Sequence, residues 1–95
     1  MFITITTNHP SQDEWKIIKP FMVQFIPRLR KIKGVHAVYF SYREEKNDET
    51  TFIVWENPQS IQSYRESALF QEAVEFEKKY GLSSTWDGFP VEDPS

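Results

Sequence analysis

The chain contains no cysteine and only three glycines in 95 residues. Without cysteine there is no disulfide framework, no Cys-ligated zinc, no iron–sulfur cluster and no thiol catalysis. Long apolar runs are missing as well. No window approaches the roughly 20 apolar residues of a membrane-spanning helix. The first residues, Met1-Phe2-Ile3-Thr4-Ile5-Thr6, have neither a basic start nor an extended apolar stretch, so no membrane partner and a cytoplasmic location are expected. Histidine is scarce, with His9 and His36 only. No His or carboxylate cluster has metal-ligand spacing, and no metal is expected. Basic residues are outnumbered, 11 Lys plus Arg against 14 Asp plus Glu for a net charge of −3, which argues against nucleic acid as a partner. Gly/Ser-rich linkers, repeats and low-complexity tracts are also absent, so residues 1–95 are expected to form one domain. A chain of this length buries about 60–70% of its unfolded surface, enough to fold alone. What the sequence has in excess is aromatic side chains: eight Phe, four Tyr and three Trp, or 16%.

The order of elements is readable. The β-branched and aromatic run Phe2 to Thr7 favours a strand, which Asn8-His9-Pro10 ends because proline cannot donate to a ladder. Ser11-Gln12-Asp13-Glu14 has the capping-box form, and Ile18, Met22, Phe25, Leu29 and Ile32 follow at steps of four and three, with Phe21 and Ile26 widening the stripe. A helix with one buried face is expected there, stopped at Gly34. Pro20 and Pro27 lie inside it, and at about 3 kcal/mol per interior proline they predict a broken or kinked element. Val35 to Arg43 and Thr50 to Glu56 read as a hairpin joined by the charged turn Glu44 to Glu49. Asn57-Pro58 is an N-cap followed by an N1 proline and opens a second helical segment carrying Ile61, Tyr64 and Arg65. Ser67 caps again before Leu69 to Tyr80, and Gly81 ends that helix. Ser83 to Val91 reads as a last strand, with Glu92 to Ser95 a frayed tail. The result is an α+β, ferredoxin-like βαββαβ order.

Two helical layers on one side leave the other sheet face wet, and such strands should alternate apolar and polar. These do not. Phe52 and Val54 oppose Ile53 and Trp55, and Val38 and Phe40 oppose Val35, Ala37 and Tyr39. Both faces ask for burial, and a symmetric homodimer with its sheets packed together supplies it.

The stretch from Thr51 to Phe70 resembles the antibiotic biosynthesis monooxygenase family of dimeric α/β barrels. The likeness lies in a strand ending Val54-Trp55-Glu56, a short helix bearing Tyr64, and Ser67-x-x-Phe70 opening the next helix. It implies a homodimer with a pocket between each subunit's sheet and helices. Oxygenases of this family act without metal or flavin on phenolic substrates, so no cofactor is implied. Trp55 matches the family tryptophan, while Thr51 and Ile61 stand where polar Asn and Tyr partners would be. In the haem-degrading branch Asn8 would match a pocket Asn, but Tyr64 replaces a Trp and Val74 the axial His, so the iron lacks its ligand.

The resemblance and the aromatic excess together predict a protein that binds a small apolar or aromatic molecule. It would be a cofactor-independent monooxygenase of an aromatic or quinol-like substrate, or else a non-catalytic ligand-binding or structural dimer module. Asn8 and His36 are the candidates for a hydrogen bond or for taking a phenolic proton. Trp55, Tyr64, Phe25, Phe70 and Tyr39 are the candidate pocket residues. Glu44, Glu45, Asp48 and Glu49 read as a solvated turn that keeps strands from aggregating. The basic run Arg28, Arg30, Lys31 and Lys33 reads as complementing a helix dipole.

Overall fold

The computed structural model describes residues 1–92, so the expected tail lies outside the described residues from Asp93 onward. Strand β1 (Phe2–Asn8) is followed by helix α1 (Gln12–Leu29), strands β2 (Val35–Arg43) and β3 (Asp48–Trp55), helices α2 (Pro58–Arg65) and α3 (Ala68–Tyr80), and strand β4 (Thr85–Pro90). The strands form one antiparallel sheet in the order β2-β3-β1-β4. This is the ferredoxin-like arrangement that the sequence order implies, with its second helix delivered as two segments.

Local signals start these helices as expected. Ser11 Oγ accepts from the Glu14 amide at 3.1 Å and the Glu14 carboxylate accepts from the Ser11 amide at 2.9 Å, closing the capping box. Asn57 caps α2 and Ser67 caps α3 through their side chains, and Gly81 ends α3 in the left-handed region at φ +63°. The expected break in α1 does not occur: the helix runs unbroken through Pro20 and Pro27. Both prolines are exposed and seven residues apart on its outer surface. Their missing amides therefore free the carbonyls of Lys16 and Val23, themselves exposed, which water can satisfy. Gly34 is not the helix stop. It lies four residues past Arg30, at φ +90°, where a Cβ would stand 2.2 Å from Ser60 Oγ. There it lets the α1–β2 connection pass close to the start of α2.

Strand alternation sorts the side chains. Thr4, Thr6 and Asn8 of β1 pair with Ile53, Thr51 and Glu49 of β3, and all six face the helices. The core lies there: Ile26 and Leu29 of α1, Val38 of β2, Ile53 and Trp55 of β3 and Ile61 of α2 form one buried cluster. Arg28 of α1 is paired in fork geometry with Glu72 of α3, one bond at 3.1 Å, which ties the two long helices across the layer. The opposite face carries Ile3, Ile5, Ala37, Tyr39, Phe52, Val54 and Phe89, with no element of the described chain over it.

The hairpin differs from its sequence reading in one consequential way. A 3-10 turn over Glu44–Lys46 and Asn47 at φ 48° complete the reversal, and β3 begins at Asp48. Glu49 thus belongs to the strand, opposite Tyr42 on one side and Asn8 on the other. It is 6% exposed. The expectation of a solvated Glu49 is corrected by pairing: the ladder extends two residues beyond the apolar run, and the period of two places Glu49 in line with Thr51, Ile53 and Trp55.

Candidate functional site

A cavity of about 480 Å³ lies between the helix-facing side of the sheet and the three helices, within the range of small-molecule sites. Its walls come from every layer. Ile18, Phe21, Met22 and Phe25 of α1 form one side, Ile61 and Tyr64 of α2 and Phe70, Ala73 and Phe76 of α3 another, and Ile53 and Trp55 of β3 the floor. The interior is not filled despite the aromatic excess, because the rings pack on one another around the space. Phe21 stacks on Phe76 at 4.0 Å and meets Phe25 edge-on at 5.1 Å. Phe70 meets Tyr64 edge-on at 5.2 Å, and Tyr64 lies 5.5 Å from Trp55.

Trp55 is the most deeply buried member. It is 1% exposed, and its Nε1 donates to Thr4 Oγ1 at 2.9 Å across the β1–β3 pairing. That bond satisfies the indole in a place where an unpaired donor would be costly. At the mouth, the Arg65 guanidinium lies 4.7 Å above the Trp86 ring, joining α2 to β4.

Polar groups gather at one end. Asn8 and Glu49 are direct cross-strand partners, with Thr6 and Thr51 the next pair along. Glu77 of α3 also lines the cavity and accepts from Ser84 Oγ at 3.3 Å. Burial pushes the Glu49 carboxyl up to about 7, against the opposing pull of a side-chain hydrogen bond from Asn8 and with added repulsion from Glu77. Burial raises Glu77 as well. Tyr64 is pushed up to about 12 by desolvation, with Glu77 adding to it, so its hydroxyl stays protonated at neutral pH. Two acceptors at this end have no hydrogen-bond partner: Asn8 Oδ1 and Glu49 Oε2.

Five of the seven residues singled out from the sequence meet at this cavity: Asn8, Phe25, Trp55, Tyr64 and Phe70. His36 and Tyr39 do not. His36 sits at the irregularity between Val35 and Ala37 in the β2–β3 register and is exposed. Tyr39, 62% exposed, pairs with Phe52 on the uncovered face of the sheet. Period-two alternation separates it from Val38 and Phe40, its neighbours on the helix side. Trp15 and Tyr42 also stand apart, stacked on each other at 3.9 Å. Glu49 and Glu77 are the residues that sequence reasoning missed. For Glu49 the available signal was the series Glu49, Thr51, Ile53, Trp55 at every second position. For Glu77 it was the helical spacing that places it seven residues after Phe70.

No family profile matches the chain, and no curated protein matches it in sequence. Solved structures do match in shape. A provisionally assigned antibiotic biosynthesis monooxygenase of Deinococcus radiodurans superposes with a TM-score of 0.89 at 12% identity, covering 100% of this chain and 96% of that one. A further structure described as an antibiotic biosynthesis monooxygenase gives 0.84 at 10% identity over 98% of this chain and 100% of its own. A provisionally assigned member from Nitrosomonas europaea gives 0.84 at 9%, covering 96% and 98%. At such identities the likeness concerns architecture, and by architecture this chain has the α+β fold of the antibiotic biosynthesis monooxygenases.

Proposed function

We propose that the protein binds a small aromatic molecule in the cavity between sheet and helices and oxygenates a quinol-like or phenolic substrate without a cofactor. The observation that carries this reading is the cavity itself: about 480 Å³, walled by aromatic rings, with its polar groups confined to one end. A flat ring seated between Phe25, Tyr64 and Phe70 would place a ring substituent towards Asn8. Desolvation of the electron-rich ring and a fixed orientation are what the protein supplies in such chemistry. The fold likeness to structures described as antibiotic biosynthesis monooxygenases supports the same reaction class.

The active form in this reading is a cytoplasmic homodimer. Ile3, Ile5, Phe52, Val54 and Phe89 form an apolar sheet face that no element of the described chain covers, and a second copy packed sheet to sheet would bury it. Among the described residues no helix is long and apolar enough to cross a membrane.

Oxygen uptake with a panel of mono- and bicyclic hydroquinones tests the activity. Turnover is expected above the buffer rate, and Ala73→Phe, which fills the cavity, is expected to abolish it. No uptake with any member would remove the oxygenase reading and leave the non-catalytic binding module. Sedimentation at micromolar concentration tests the dimer, and a monomer there would overturn it.

A further inference from the structure

The polar end of the cavity contains two buried acceptor oxygens to which no group of the described residues donates. Glu49 is more than nine-tenths buried, yet its Oε2 has no hydrogen-bond partner, and neither does Oδ1 of its cross-strand neighbour Asn8. Both orphans are acceptors, an amide oxygen and a carboxyl oxygen, on directly paired residues of neighbouring strands. Directly opposed side chains on antiparallel strands begin about 5 Å apart at Cβ, so the two oxygens are within reach of one ligand group. The hydroxyls of Thr4, Thr6, Thr51 and Tyr64 also line the cavity, but none of them donates to either oxygen, and Glu77 is a second carboxyl raised by burial. The one guanidinium lining the cavity, Arg65, is stacked on Trp86 at the mouth. A buried acceptor left unpaired is costly, and the cost is removed when a ligand donates to it.

We infer that Glu49, assisted by Asn8, is the specificity-determining acceptor of this cavity, selecting neutral arenes that carry a hydroxyl and rejecting aryl carboxylates and arenes with no donor. The inference rests on the proposed use of the cavity for aromatic ligands and adds the residue that chooses among them. It does not require oxygenation. Above pH 7, where the Glu49 carboxyl is ionised, a hydroxyl donates to its free oxygen in a short, charge-assisted bond. An anionic substituent would instead meet two acceptors and the Glu77 carboxyl, and a methyl ether would leave both orphans unpaired.

Three bicyclic probes separate these cases: 2-naphthol, 2-methoxynaphthalene and 2-naphthoate, each titrated into the purified protein by calorimetry at pH 8, where the Glu49 carboxyl is ionised. For the unmodified protein 2-naphthol is expected to bind at least about tenfold more tightly than its methyl ether or the carboxylate, the worth of one hydrogen bond to a charged acceptor. Glu49→Leu is expected to shrink the naphthol preference to within about twofold, whereas Glu49→Gln, which keeps a neutral acceptor oxygen, retains part of it. Melting curves confirm that both variants fold. Equal binding of naphthol and its ether, a preference that survives Glu49→Leu, or tightest binding of the carboxylate would each overturn the inference. Failure of all three probes to bind overturns the cavity reading along with it. A Glu49-dependent naphthol preference in a protein with no oxygen uptake upholds the inference while removing the oxygenase.

Discussion

Along β3, Glu49, Thr51, Ile53 and Trp55 turn towards the helices while Thr50, Phe52 and Val54 turn away, and the two rows meet different surroundings. The first row ends in a hydrogen-bonded indole at one end and an unpaired carboxyl at the other, with open space between them. The second row is apolar apart from Thr50 and uncovered by the described chain. Both rows carry large hydrophobic side chains, Ile53 and Trp55 in one and Phe52 and Val54 in the other, so these alone do not distinguish the enclosed surface from the uncovered one. What distinguishes them is enclosure: three helices hold their rings apart over the first row, and nothing stands over the second. In the proposed function, one sheet serves two kinds of recognition, small molecule on one side and a second copy of the chain on the other.

The sharpest way to break this division is at Trp55. Trp55→Ala should lower unfolding free energy by about 3–5 kcal/mol, since it empties a large buried volume and strands Thr4; urea denaturation reads the change. A loss under about 1 kcal/mol would mean that the covered row is loosely packed and that the cavity is not a defined space.

Glu49 comes next. Its folded-state pKa of about 7 stands above the ordinary carboxylate value, so between about pH 4.5 and 7 the native state holds a proton that the unfolded chain has lost. Stability from this group is therefore fully present at acid pH and falls as pH rises through that window. Glu49→Gln should match the unmodified protein near pH 4 and exceed it by about 2–3 kcal/mol at pH 8. Glu77 is shifted the same way and repels Glu49, so the difference between the two curves reports Glu49 together with its coupling to Glu77. Parallel curves would show that the carboxyl is solvated.

The smallest effect on the fold itself is expected on the uncovered row. Tyr39→Asp should change protomer stability by no more than about 0.5 kcal/mol, as an exposed substitution does. It should nevertheless weaken self-association by about tenfold or more, because a charge placed in an apolar sheet-to-sheet contact has no partner there. Sedimentation velocity over a dilution series measures it. Association unchanged by Tyr39→Asp would place any dimer contact elsewhere.

Legibility in the sequence followed the same division. Caps, turn glycines and helical stripes are local, and Ser11, Asn57, Ser67 and Gly81 do what their types indicate. The uncovered apolar face was legible too, from strands whose two faces were both hydrophobic. The polar end of the cavity was not. Asp48 and Glu49 follow a run of charges, and only strand pairing with Asn8 and Tyr42 decides that the second of them turns inward. The prolines of α1 misled for a related reason, since their cost depends on whether the freed carbonyls meet water or protein, which is a property of the folded surface. Tyr39 lies where regular alternation with Val38 and Phe40 puts it, on the uncovered face, and only His36 sits at the register irregularity between Val35 and Ala37.

Gly34 and Gly81 both hold positive φ, yet they tolerate change very differently. Around Gly81 nothing stands within 4 Å of where a Cβ would be, so an asparagine, content in the left-handed region, could take its place. At Gly34 the same swap collides with Ser60, and the collision would lever the α1–β2 connection away from the start of α2. Because α2 carries Ile61 and Tyr64 onto the cavity wall, the bare backbone at Gly34 is what lets that wall sit as close to the α1–β2 connection as it does.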